Sequence, residues 1–295
     1  MSPSDAEALM AARAKSFRFA SWLLPAETRR NAASLYAFCR MVDDIADDSP
    51  TPEQARAGLA AVEDELLGLT PARPEVAGAL QHLESVVPAL ELVSGALSDQ
   101  DAVRVPDDPA LIRYCYAVAG TVGLMMCGVL GVRDRSAWTR AADLGIAMQL
   151  TNICRDVAED ARMGRVYLPE TRLRAHGETP ERLVAGLAEP QRIAGVVAEL
   201  LDLADRYYQS ADRGLPAIPL RARLGVLVAS RLYRGIGERL RSRGCDALRG
   251  RAVVPLWRKI LYVPQSLYDL VRLRESGPHE AQLHLASGSP NGERP

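Results

Sequence analysis

The stretch RRNAASLYAFCRMVDDIADD, residues 29–48, contains neither Gly nor Pro, and it spaces Ala33, Tyr36, Arg40, Asp43 and Asp47 by steps of three and four. That is the period of an α-helix, and it puts all five on one face. The helix is expected from about Arg29 to Asp48, stopping at Ser49 and Pro50. A second stretch, AADLGIAMQLTNICRDVAEDAR at 141–162, repeats the steps through Gln149, Asn152, Asp156 and Asp160. Two long helices with matching polar stripes make the chain all-α in expectation.

The remainder agrees with that reading. Aromatics are only 5% of the chain and β-type alternation is absent, while Ala, Leu, Arg and Glu recur at helical spacing. Turn clusters at Ser49 to Pro52, Thr70 to Pro74, Val105 to Pro109, Leu168 to Pro180 and Gly214 to Pro219 divide it into helices. No repeat of fixed period is present, which excludes a solenoid. With 295 residues, 48% hydrophobic and 25% charged, the chain can bury a sizeable core. A single domain over 1–275 is expected, followed by a disordered Gly-, Ser- and Pro-rich tail at 276–295.

Charge and cysteine content bound the partners. Thirty-six basic against thirty-seven acidic residues leave a net charge of −1, so no global field grips nucleic acid and no nucleic-acid partner is expected. The five cysteines are odd in number and widely spaced, and read as buried free thiols in a reducing cytosol. Met1 to Ala12 lacks an apolar run of signal type. The longest nearly apolar stretch, Ala117 to Val132, is shorter than a bilayer span and reads as a buried helix. A cytoplasmic protein is therefore expected. Pro255 to Arg274 mixes apolar with basic residues and has two readings, peripheral membrane contact and core packing; Pro264, by interrupting an amphipathic helix, favours the second. Oligomeric state is not readable.

The acidic stripes are the functional signal. A single D-x-x-x-D pair is usually a solvated helix surface. Here Asp43, Asp44, Asp47 and Asp48 crowd a helix C-terminus, where the macrodipole is negative and like charges repel. Arg40, Arg155, Arg162 and Arg165 could neutralise them, and a bound cation would do so better. Carboxylates and an Asn carbonyl, without His or Cys, suit Mg²⁺ or Mn²⁺ over zinc or copper. Such an ion keeps positions open for phosphate oxygens, and Arg40 and Arg155 stand close enough to bond the same phosphates. Ala33, Gly145 and Met148 leave room behind them for an apolar ligand. Tyr36, Tyr114 and Phe17 could face a developing carbocation, though core packing alone accounts for any one of them.

SLYAFCRMVDDIADD (34–48) with MQLTNICRDVAEDARMGRVYLP (148–169) closely resembles the squalene and phytoene synthase family. YCYAVAGTVGLMMCGVLGV (114–132) looks most like its phytoene synthase branch, and KSFRFASWLLP (15–25) fits its N-terminal element. The resemblance runs from about Lys15 to Lys259. It implies a single-domain isoprenoid-synthase bundle with a central cavity. It also implies metal ligands at Asp43, Asp47, Asn152, Asp156 and Asp160. Contacts to prenyl diphosphate are implied at Ser16, Tyr36, Arg40, Gln149, Arg155 and Tyr233, with Phe17 counted beside them as a substrate-binding candidate, and Tyr114 would lie near the reacting carbons. Two positions depart from the family: Ala14 stands where relatives often have a Ser, and Trp257 falls in a basic stretch that binds phosphate in some members, with Arg258 or Lys259 as the substitute expected there.

The implied reaction joins two geranylgeranyl diphosphates through a cyclopropylcarbinyl diphosphate to 15-cis-phytoene, in carotenoid biosynthesis, with Mg²⁺ and without NADPH. Small residues at Ala20, Ser21, Ala32 and Ala33 leave length for twenty-carbon chains. The alternative is squalene, hydroxysqualene or dehydrosqualene synthesis from two farnesyl diphosphates. Of other classes, a di-iron protein needs Glu-x-x-His pairs, and none of His82, His176, His279 or His284 follows a Glu by three. A non-catalytic helical binding protein would tolerate loss of Asp43 or Asp156.

Overall fold

A computed structural model describes residue 6 and residues 20–98, 103–252 and 255–272, without the side chains of 256–260 and 271–272. The expected tail at 276–295 lies outside the described residues. The decisive stretch forms α1, Ala26–Asp48, and the second acidic stretch forms α7, Trp138–Arg162, each within three residues of the expected start and ending where expected. Between them come α2 (Pro52–Leu66), α3 (Pro74–Leu80), α4 (Val87–Leu97), α5 (Asp108–Cys115) and α6 (Thr121–Leu130). After α7 follow short α8 (Glu170–Ala175) and α9 (Pro180–Val184), then α10 (Pro190–Asp212), α11 (Leu220–Arg241) and α12 (Leu256–Arg272). Among the described residues the one strand-like pairing is an isolated bridge between Arg104 and Val166.

Helix α7 is the central post, packed against α10, α6 and α11. Its neighbour α10 shows why: Ile193, Val196, Val197, Leu200, Leu201, Ala204, Tyr207, Tyr208 and Ala211 are buried at steps of one and three, one continuous apolar stripe. All of these except Ala211 belong to one core with α7's Ile146, Leu150, Ile153 and Val157. A second core lies under α1, where Leu35, Phe38 and Val42 pack with Leu59 and Val62 of α2 and Leu92 and Val93 of α4.

The apolar stretch at 117–132 is part of a longer element than its composition suggested. A five-residue π-helical turn, Tyr116–Gly120, joins α5 to α6, giving a continuous helix over Asp108–Leu130 that is long and apolar enough to cross a membrane by length and composition. It packs instead along α7, and two glycines permit the approach. A Cβ on Gly123 would stand 2.1 Å from the carbonyl oxygen of Ala141, and one on Gly145 would stand 2.1 Å from that of Ala119. The helix ends at Gly131, whose φ of 69° is left-handed.

Pro264 does not interrupt α12, contrary to expectation. It lies on an exposed position, so water can satisfy the carbonyl that loses its N–H partner. The helix buries Tyr262 and Ser266, pairs Asp269 with Arg231 of α11 at 2.7 Å, and leaves Leu261, Leu267 and Tyr268 exposed. All five cysteines are free, four of them buried as expected, whereas Cys39 is half-buried.

Candidate active site

A cavity of about 380 Å³ opens between α1, α6, α7 and α11. At its polar end stand Asp43 and Tyr36 of α1, Gln149 and Asn152 of α7, and Tyr233 of α11. From there α7 carries Met148, Gly145, Leu144 and Ala141 down one wall to Ala137 just before its first residue, while Leu130, Val132, Leu215 and Ile218 line the far end. The one charged group at that depth is Arg140, which is 6% exposed. The fifteen steps from Ala137 to Asn152 rise ~22 Å at ~1.5 Å each, which sets the length of the wall.

The polar end is an arginine-rich mouth. Arg155 donates from Nε to Asp156 Oδ1 at 2.8 Å and from Nη2 to Oδ2. Arg251, from the loop after α11, reaches the same carboxylate with Nε at 3.1 Å from Oδ1. Arg165, in the loop after α7, donates to Asp47 Oδ1 at 2.9 Å and so ties the end of α1 to that of α7. Burial works against the charge of Arg155, yet its bonds to Asp156 carry its pKa above the usual guanidinium value. Burial pushes the phenol of Tyr233 up; Arg155 and Arg251 pull it down, and Tyr36 and Asp156 push it further up. Side chains from three helices and a loop thus share one electrostatic environment.

One polar atom at this mouth stands out. Asn152 donates from Nδ2 to Gln149 Oε1 at 3.3 Å, but its own Oδ1 is buried without a hydrogen-bond partner. A buried acceptor left so is costly unless something else meets it. Among the described residues, no three acidic, histidine or cysteine side chains converge to metal-holding distance. The arginine pairs explain the spread, since Asp47 and Asp156 each turn toward a guanidinium.

Several expected positions fall elsewhere. Arg40 pairs with Asp44 and lines a separate groove with Met41, Asp48 and Arg73. At ~100° per residue it lies ~40° round α1 from Tyr36, on the side away from Leu35 and Cys39, which face the cavity. The expected single stripe on α1 is therefore split. Ala33 follows Arg40's side and packs with Ala6 and Ala37, whereas Ala20, Ser21 and Ala32 do line the cavity. Tyr114 stacks on Tyr167, ring centroids 5.0 Å apart, and is not among the cavity-lining residues. Asp160 is half-buried near the end of α7. Ser16 and Phe17 lie outside the described residues, as do the side chains of Arg258 and Lys259. Arg251 escaped the sequence reading: it sits in an irregular loop with no period to mark it, and only the fold brings it to Asp156.

Residues 10–258 match the family model described as squalene/phytoene synthase. The chain belongs to the squalene/phytoene synthase family. Within that family it is 38% identical over 255 residues to the 15-cis-phytoene synthase of Enterobacter agglomerans, covering 80% of this chain and 85% of the relative. It is 39% identical over 262 residues to the phytoene synthase of Thermus thermophilus, covering 88% and 90%. A crystal structure of a dehydrosqualene synthase in complex with ligand superposes with a TM-score of 0.82 at 27% identity, covering 92% of this chain and 96% of the other. The all-α isoprenoid-synthase architecture expected from the two acidic stretches is that of this family.

Proposed function

We propose that this family member is a phytoene synthase, a prenyltransferase that condenses two geranylgeranyl diphosphates head to head to 15-cis-phytoene and releases diphosphate, in carotenoid biosynthesis. The observation that carries the reading is one cavity that is polar at Asp43, Gln149, Asn152 and Tyr233 and apolar along the rest of α7. The relatives named phytoene synthase support it. Length supports the twenty-carbon substrate: an extended geranylgeranyl chain is ~19 Å and a farnesyl chain ~14 Å at ~1.3 Å per bond. The α7 wall is long enough for the former.

The donor set suits a divalent cation, since Asp43, Asp47, Asn152, Asp156 and Asp160 offer only oxygens and Asn152 Oδ1 has no other partner. These residues would hold Mg²⁺, or Mn²⁺ in its place. When bound, the ion stabilises the charge of the departing diphosphate as a Lewis acid. Arg155 and Arg251 would donate to that diphosphate, and Arg251 is a further basic candidate beside Arg258 and Lys259. Tyr36 and Tyr233 line the polar end, where electron-rich rings would favour positive charge on the allylic carbons. Leu35, Leu144 and Met148 keep water from the cation. Tyr114 lies outside the lining, which favours the released diphosphate over its phenol as proton acceptor. No hydride donor is needed for this outcome.

Purified protein with Mg²⁺ is expected to convert geranylgeranyl diphosphate to 15-cis-phytoene, with or without NADPH. Exclusive formation of a thirty-carbon product from farnesyl diphosphate would overturn the chain length; no coupled hydrocarbon from either substrate would overturn the reaction class.

A further inference from the structure

Two of the carboxylates at the mouth are already held by arginines. Asp156 is gripped through both oxygens by Arg155, and Arg251 lies 3.1 and 3.5 Å from the same two oxygens. Arg165 holds Asp47. Arg155 is fixed beside Asp156 on α7, whereas Arg251 and Arg165 come from loops. The Arg251 loop is pinned by buried Ala247 and Ala252, and Asp246 closes its turn by accepting from the backbone N–H of Leu248 and Arg249 at 3.2 Å each. The backbone is thus held while the Arg251 side chain, 55% exposed, is left to move.

We propose that Arg251, with Arg165 as its counterpart on Asp47, is a counter-ion latch: it holds Asp156 until a diphosphate arrives and then transfers to the diphosphate. The proposal rests on the reading of this mouth as a prenyl diphosphate site. A divalent cation approaching Asp156 alone has to displace two guanidiniums and leave them unpaired beside its own positive charge. A diphosphate would remove that obstacle, because its oxygens would accept hydrogen bonds from the arginines and also offer ligands to the cation. Metal and diphosphate therefore assist each other's binding by the same factor, and free metal binds weakly.

The test is Mn²⁺ binding without diphosphate, followed through the electron paramagnetic resonance signal of free Mn²⁺, with helicity checked by circular dichroism. Arg251→Gln is expected to bind Mn²⁺ ~10-fold more tightly than wild type, equivalent to ~1.4 kcal/mol. Arg165→Gln should gain less, Arg251→Lys should stay near wild type, and adding Asp156→Asn to Arg251→Gln should cancel the gain. Unchanged Mn²⁺ affinity in Arg251→Gln overturns the latch. If that variant loses helicity, unchanged affinity in Arg165→Gln overturns it from the other helix. Phytoene formation by the same wild-type preparation keeps the two claims apart: product with Mn²⁺ affinity indifferent to the arginines sinks the latch alone, and no coupled product sinks the parent reading.

Discussion

The two acidic helices have the same spacing but are held differently. On α1, Asp43 and Asp47 are exposed at the end of the helix, the last turn has no basic residue, and the loop residue Arg165 holds Asp47. On α7, the Asp156 side chain is only 17% exposed, two arginines bracket it, and Asn152 beside it carries a buried carbonyl oxygen. Behind α7 the support is equally close, with Gly145 against the π turn and the Thr151 hydroxyl 3.1 Å from that of Tyr208 on α10. Helix α7 therefore presents its oxygens from a preset position, which lowers the cost of ordering them around a ligand. Helix α1 presents its carboxylates from a solvated turn and closes the other side of the mouth.

Removing one acid from each helix tests that asymmetry directly. Asp156→Ala is expected to lower phytoene formation by ~10³-fold or more, because it removes a metal ligand and leaves the partly buried Arg155 without its carboxylate. Asp47→Ala is expected to cost less, ~10²-fold, since water and neighbouring acids can replace an exposed ligand. Steady-state turnover of geranylgeranyl diphosphate, with circular dichroism to confirm folding, measures both. Equal losses would erase the distinction between the helices, and full activity in both would remove the acids from the mechanism.

The same contrast explains how much could be read without coordinates. Local features were legible: the steps 36, 40, 43, 47 and 149, 152, 156, 160 located both helices and both acidic ends, because helical period and stop signals act over a few residues. What depended on packing was not. The split of α1 into a cavity side with Tyr36 and a groove side with Arg40 turns on an angle smaller than one residue's step. Arg251 is separated from Asp156 by 95 residues, and no local signal joins them. The π turn at Tyr116–Gly120 is set by how closely α6 meets α7, which Gly123 and Gly145 permit but do not announce.

Stability separates the helices a second time. Gly145→Ala puts a Cβ 2.1 Å from a backbone oxygen of the π turn, which cannot swing aside as a side chain does, so α7 and the turn have to part. A loss of about 3 kcal/mol is expected, seen as a lower thermal midpoint, and activity should fall with it as the α7 wall shifts. Among the described residues two glycines face α1: Gly58 of α2, where a Cβ would stand 2.8 Å from the Ile45 side chain, and Gly78 of α3, whose surroundings are open. A Cβ there meets Ser34 Cβ at 3.7 Å and Oγ at 3.9 Å, ordinary contact, and Gly78 is not among the glycines with positive φ. Gly78→Ala should therefore stabilise the protein, by up to about 1 kcal/mol, because alanine gives up less backbone entropy in a helix. Thermal or urea unfolding of the two variants side by side reads both signs. A destabilised Gly78→Ala would mean that α1 is packed as tightly as α7, and the difference in how the two helices hold their carboxylates would then rest on the arginines alone.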